Sequence, residues 1–494
     1  MKFEPTIGLE IHAELKTKTK MFCECLNDPL EKRPNLNLCP ICLGHPGTLP
    51  LMNKEAVRLV LTLGAALGAK LADDSRFDRK NYFYPDLPKG YQISQYLHPL
   101  VSAGVLKLPS GKEVRITRVH LEEDAARNVH DNDSKATLVD FNRAGVPLME
   151  LVTEPDMKSA AEAVEFAEEL QLILRYLGIS DADMEKGQMR VEANVSIAPA
   201  DELGNGFSKL GTKVEVKNIN SFRAVGRAID FEINRQAEAI GRGEKIKQET
   251  RGWDDAHQKT VSQRSKEEAH DYRYFPEPDL PPLKLSEVPE FAPEILKAEL
   301  PELPLAKRER FREEYGVEGE KLEIFIHDKK LSEFFESVVS EAERWIDKVP
   351  KEKIISLAVN YITSDLVGLL KELALSIENL EMSPENFGEL IKMSALGEIS
   401  SRGAKDILRI MTERGGDPTE IAIQEGQLQT SETGSLEGIV KRVIDANPKA
   451  LEDYKKGKEA SLQFLIGQAM REAKNQKIGA NPQILKEIFQ KISK

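Results

Sequence analysis

TIGLEIHAEL, residues 6–15, sets Ile7, Leu9, Ile11 and Ala13 in alternation with Gly8, Glu10, His12 and Glu14. Period two marks a strand with unlike faces, because successive side chains of an extended chain point to opposite sides. The apolar set belongs to a core. The other set puts Glu10 and His12 on one face two residues apart, an acid beside an imidazole.

Two later stretches repeat the pattern. In MRVEANVSI, residues 189–197, Met189, Val191, Ala193, Val195 and Ile197 oppose Arg190, Glu192, Asn194 and Ser196. In KVEVKN, residues 213–218, Val214 and Val216 oppose Lys213, Glu215 and Lys217. These are half-buried strands of an antiparallel sheet. A polar face that simply meets water recruits Thr, Lys and Tyr, whereas Asn is a poor strand former. Acid, Arg, Asn and Lys recurring on several strands fit the lining of a site better.

More acids gather in VHLEEDAAR, with Glu122, Glu123 and Asp124, and in DFNRAGVPLMELVTEPD, with Asp140, Asn142, Arg143, Gly145 and Glu150. Carboxylates with Asn and an imidazole make an oxygen-rich environment suited to Mg²⁺. Lys and Arg beside them suit phosphate oxygens. Both together point to metal-assisted phosphoryl transfer, in which positioning and charge neutralisation supply most of the catalysis. No P-loop is present: the stretch from Gly206 to Lys213 ends Gly-Thr-Lys, the wrong order for that motif. Two aromatic stretches, RKNYFYPDLPKGYQISQ (79–95) and DYRYFPEPDLPPL (271–283), either stack an unpaired nucleotide end or form tightly packed turns. His45, His98, His130 and His270 lack paired ligand spacing and read as ordinary residues.

The chain of 494 residues is long enough for two to four domains, and 40% apolar with 31% charged residues describes a soluble globular protein. No apolar run approaches a membrane span and MKFEPTIGLE is no secretory signal, so a cytoplasmic location without a membrane is expected. The net charge of −13 argues against a nucleic-acid coat protein, yet residues 449–494 carry ten Lys and Arg against five Asp and Glu. A polyanion would land there. The four cysteines, Cys23, Cys25, Cys39 and Cys42, read as a metal knuckle holding structural zinc, the alternative being unconnected reduced thiols.

Prolines crowd between Pro276 and Pro304, which no regular helix or inner strand tolerates, so a domain boundary is placed there. The expected division is 1–290 for the sheet domain, 291–414 for a helical domain and 415–494 for a small helical tail. Residues 331–349 show helical spacing behind a Ser332 cap, and Gly415-Gly416-Asp417-Pro418 marks the second break.

GLEIHAEL, KNYFYPDLPKGYQISQ, HLEEDAA, DFNRAGVPLMELVTEPD, KNINSF and DYRYFPEPDLPPL together resemble the B subunit of the bacterial tRNA-dependent amidotransferase, along essentially the whole chain. The resemblance implies an α+β fold: an antiparallel-sheet cradle resembling glutamine synthetase, then a helical domain and a tRNA-binding tail. It implies that ATP phosphorylates the side-chain carboxylate of Glu-tRNA(Gln) or Asp-tRNA(Asn), and that ammonia from a glutaminase partner, the A subunit, then displaces phosphate. A small C subunit would complete the heterotrimer. Glu10, His12 and Glu123 would hold Mg²⁺, with Glu150 nearby, and these four with Arg190 and Lys217 form the expected catalytic set. Arg190, Glu192, Glu215, Lys217 and Asn218 would face the nucleotide. Tyr82 and Tyr84, with Lys455, Lys458, Arg471 and Lys474 of the tail, would contact tRNA. Three departures stand out: Glu192 where relatives often carry Asp, Ala126-Arg127 where Gly-Lys is common, and a cysteine quartet that some members lack.

Overall fold

The alternating segments join one nine-stranded sheet. The structure, a computed structural model, describes residues 3–131, 136–199, 210–265, 272–342, 349–430, 433–476, 479–480 and 482–492. In chain order the strands are Phe3–Glu14 (β1), Lys70–Leu71 (β2), Val101–Lys107 (β3), Glu113–Glu123 (β4), Pro147–Thr153 (β5), Met189–Pro199 (β6), Val214–Ile219 (β7), Glu249–Asp254 (β8) and Lys259–Ser265 (β9). Across the sheet they run β9-β8-β7-β6-β1-β5-β4-β3-β2. The long β1 lies in the middle, antiparallel to β6 on one side and to β5 on the other.

The sheet is mixed rather than purely antiparallel. β7 and β8 run parallel. A parallel pair needs a crossover rather than a tight turn, and the helix Phe222–Gly241 supplies it. The architecture is otherwise the expected α+β.

One face of the sheet is closed by helices Lys54–Ala66 (α1), Ala160–Tyr176 (α2) and Phe222–Gly241 (α3), capped by the side chains of Asn53, Ser159 and Ser221. Ile7, Leu9, Ile11 and Val191 join Phe166, Leu170, Val225 and Ile229 in a single core. Each such side chain contributes roughly 1.5–3 kcal/mol of burial. This pins the register of β1 and so fixes which residues face the other way, since a one-residue slip would turn the apolar set outward.

The chain divides into two compact units, Met1–Ala306 and Lys307–Lys494. The proline-rich segment belongs to the first unit, so the boundary lies beyond the expected 290. Phe275–Pro276 and Leu283–Lys284 pair with Asp78–Asn81 and Asp74–Ser75 as two-residue strands, and Leu285, Phe291 and Leu296 enter the core. Pro289 and Pro293 start short helices, where a missing N–H costs nothing.

The described elements of the second unit are almost all helical. The expected Ser332 cap is replaced by Asp328, whose carboxylate accepts from Leu331 N at 2.9 Å at the start of Lys329–Ala342. Ser332 instead accepts from Lys307 Nζ at 2.6 Å. Residues 343–348 of the expected helix lie outside the described ones. The Gly415-Gly416 break is an internal turn rather than a domain boundary: Pro418–Gln424 buries Ile421 and Ala422 beside helices Pro384–Leu396 and Ser401–Arg414. A separate tail core runs from Leu436 to Phe489. Lys351–Leu373 is long and apolar enough by composition to cross a membrane, but more than half of it is buried within the protein.

Candidate active site

The second face of the sheet carries a polar cleft of about 790 Å³. Register builds it strand by strand. His12 on β1 lies opposite Arg190 on β6 and Glu150 on β5, and Glu150 lies opposite His120 on β4. Glu10 lies opposite Glu192. One row across four strands therefore reads His120, Glu150, His12, Arg190.

His12 Nε2 stands 3.4 Å from Glu150 Oε2, 3.6 Å from Glu122 Oε1 and 3.9 Å from Glu10 Oε1. Burial alone would lower its pKa, but the hydrogen bond with Glu150 and the charge of Glu122 outweigh that and hold it at about 9. Burial and the Glu150 charge push Glu10 up to about 7. Burial also pushes His120 down to about 4, leaving it neutral. Glu150 is drawn below the usual carboxylate range, since its imidazole neighbours His120 and His12 outweigh its burial. Acids crowded enough to hold protons near neutrality are a set that a cation would relieve.

Three groups converge closely enough for that: Glu10, His12 and Glu150; His120, Glu122 and Glu150; Glu10, Glu192 and Glu215, the ligand atoms of each group lying within 4.8 Å of one another. At the same end Lys217 Nζ lies 2.8 Å from Glu192 Oε2 and 3.6 Å from Glu215 Oε1. Thr250 on β8 donates to Glu215 at 2.7 Å. Arg190 pairs with Asp124, which Arg143 also approaches at 3.5 Å.

Tyr82, Tyr84, Tyr96, Tyr272 and Tyr274 also line the cleft. The two aromatic stretches that the sequence separates by nearly two hundred residues are thus one structure: Asn81 N donates to Tyr272 O at 2.9 Å, and the rings of Tyr96 and Tyr274 stack at 4.2 Å. Arg79 fastens them by donating to both oxygens of buried Glu277 at 2.7 and 2.9 Å.

Glu123 is not in the cleft, which corrects the expected metal set. It follows Leu121 and Val119 to the other side of β4, where it pairs with Lys89 and accepts from Ile93 N at 3.0 Å. Glu122 takes its place beside His12. Asn218 also stands apart: it adopts a positive φ of 62° and turns its amide to Trp253 O at 3.0 Å. The four cysteine sulfurs come together in a loop after β1, with Cys23 and Cys42 buried. Cys42 is held low, at about 5, by its contact with Cys23. Gly145, next to Cys42, adopts φ 83°, a left-handed conformation that glycine reaches without steric cost. Such a tetrathiolate set suits zinc.

Residues 5–289 match the family described as GatB/GatE catalytic domain, and residues 333–492 match the GatB domain. The B subunit of the aspartyl/glutamyl-tRNA(Asn/Gln) amidotransferase of Thermotoga maritima is 46% identical over 499 residues, covering 100% of this chain and 99% of its own. The corresponding protein of Clostridium beijerinckii is 44% identical, with 99% of both chains covered. That of Crocosphaera subtropica is 42% identical, covering 99% of this chain and 98% of its own. The chain belongs to the family of amidotransferase B subunits.

Within this family member the cleft gathers Glu10, His12, Glu150, Arg190, Glu192, Glu215, Lys217, Tyr82 and Tyr84 from those singled out in the sequence. Lys455, Lys458 and Arg471 are exposed on the tail, and the side chain of Lys474 lies outside the described ones, as do His130 and His270. Of His120, Glu122, Arg118, Lys80 and Thr250, sequence reasoning names only Glu122, among the acids of its stretch, and gives the metal site to Glu123 instead. A signal for the first three existed: Val119 and Leu121 are apolar, so Arg118, His120 and Glu122 must share the polar face of that strand.

Proposed function

We propose that this chain is the phosphorylating component of a heterotrimeric tRNA-dependent amidotransferase, working in the cytoplasm with a glutaminase A subunit and a small C subunit. The observation that carries the reading is the convergence of Glu10, His12, Glu122, Glu150, Glu192 and Glu215 on one sheet face beside Lys217 and Arg190. Glu10, His12 and Glu150, and beside them Glu192 and Glu215, would hold Mg²⁺, which when bound neutralises the phosphates of ATP. Lys217 and Arg190 orient phosphate oxygens. The substrate's side-chain carboxylate oxygen attacks the γ-phosphorus, the bond to ADP breaks, and an acyl phosphate results. Ammonia then attacks the acyl carbon, phosphate leaves, and nitrogen gives up a proton.

The sheet cradle is read as glutamine synthetase-like, with the tyrosine wall receiving the acceptor end of the mischarged tRNA and the basic tail its body. Cys23, Cys25, Cys39 and Cys42 hold zinc that braces the loop without taking part in chemistry. The test is ammonia-dependent conversion of Glu-tRNA(Gln) and Asp-tRNA(Asn) by the purified complex, with ATP consumption followed. One ADP per amide supports the reading. Binding of tRNA without ATP turnover would reduce the protein to a scaffold, and turnover of free glutamate without tRNA would make it a simple ligase.

A further inference from the structure

Most cations of the cleft are already engaged. Arg118 lies 3.2 Å from Glu150 Oε1, Arg190 pairs with Asp124, and Lys217 approaches Glu192 and Glu215. Lys213 is exposed. Lys80 differs from all of them. It is half-buried on the strand Asp78–Asn81, lines the cleft, and has neither an ion pair nor a side-chain hydrogen bond among the described residues. Its Nζ lies 5.2 Å from the centroid of the Tyr272 ring. Burial works against its charge, but Glu122, Tyr274 and Glu150 outweigh it, and Lys80 stays protonated. None of those acids forms an ion pair with the ammonium, so its N–H donors stay open to a ligand anion.

We propose that Lys80 binds the reacting carboxylate of the aminoacyl group, and so reads the difference between substrate and amide product. This rests on the function proposed above. Position and charge both favour a carboxylate over the nucleotide. Lys80 stands on the tyrosine side of the cleft, where Tyr82, Tyr272 and Tyr274 surround it and Tyr96 stacks on Tyr274. The acids suited to metal-bound phosphates, Glu192 and Glu215, have Lys217 as their own neighbour. The half-buried ammonium of Lys80, in no ion pair among the described residues, leaves a direct contact open to the single negative charge of a carboxylate. Once that carboxylate becomes an amide, Lys80 loses its counterion and the product its hold.

The experiment measures equilibrium binding of Glu-tRNA(Gln) and of Gln-tRNA(Gln) to the assembled complex without ATP, for wild type, Lys80→Met and Lys80→Arg. The wild type is expected to prefer Glu-tRNA(Gln) by about 10- to 100-fold, the range of a hydrogen bond to a charged group. Lys80→Met should abolish that preference and leave the KM for ATP within about threefold, while Lys80→Arg restores part of it. Lys80→Gln, checked by circular dichroism, stands in if Lys80→Met does not fold. A preference that survives in the folded neutral variant, or a loss confined to the KM for ATP, overturns the assignment. Failure of the wild-type complex to form amide from Glu-tRNA(Gln), ATP and ammonia overturns the function and Lys80's role with it. Normal wild-type turnover with an unaltered variant overturns only Lys80.

Discussion

The two faces of the nine-stranded sheet follow opposite rules. On one, Ile7, Leu9, Ile11 and Val191 meet the helices in a close-packed core that water does not reach. On the other, Glu10, His12, Glu150, Glu192 and Glu215 stand near enough to perturb one another. The first face stabilises the fold and the second strains it. A sheet this well anchored on one side can hold mutually repelling acids in register on the other, which is how a polar site is kept preorganised.

That contrast breaks most visibly at Glu10. Glu10→Gln removes a carboxylate shared by two of the acid groups and is expected to lower amide formation by about a thousandfold, the several kcal/mol a metal ion contributes. Tm should hold or rise, because repulsion from Glu150 and Glu192 is relieved. Single-turnover rates and thermal melts on the same preparation check both halves. Its neighbour Ile11 gives the reverse. Ile11→Ala is expected to cost about 2–5 kcal/mol in denaturant unfolding while the folded fraction keeps its turnover.

The sharpest version of the contrast lies within one strand. Glu122 and Glu123 are consecutive, yet only Glu122 lines the cleft. Glu122→Gln should reduce activity by about tenfold or more with little change in stability. Glu123→Gln leaves Lys89 buried without its charge partner and should cost about 3 kcal/mol or more of stability. Equal behaviour of the pair would mean the strand does not alternate as described.

The smallest expected effect is a pH dependence at Glu14, which burial and the charge of Asp124 raise to about 7. A carboxyl with a raised folded-state pKa binds its proton more tightly when folded. Its contribution is therefore present below the unfolded value of 4.5 and is lost as pH rises through 7. Glu14→Gln should accordingly gain stability relative to wild type as pH goes from 5 to 8, by ~1 kcal/mol. Urea midpoints across that range test the sign.

Much of this was legible in the residues themselves. Strict alternation in TIGLEIHAEL and MRVEANVSI fixed which side chains share the polar face, because the period of a strand leaves no freedom once the apolar set is buried. Three things escaped. Glu123 reads as the metal ligand only if the alternation of Val119 and Leu121, which assigns it to the apolar side of its strand, is set aside. The partnership of Lys80 and Tyr82 with Tyr272 and Tyr274 depends on a long-range pairing that no local pattern encodes. Gly415-Gly416 reads as a boundary because glycine marks any turn, and only packing distinguishes a turn within a domain from one between domains.

The most direct measurement follows one oxygen. Glu-tRNA(Gln) labelled with ¹⁸O in its side-chain carboxylate is given to the complex with ATP and ammonia, and the released phosphate is weighed. Phosphoryl transfer to that carboxylate requires one labelled oxygen in each phosphate formed with the amide. Phosphate free of label, released alongside full conversion to Gln-tRNA(Gln), would contradict it.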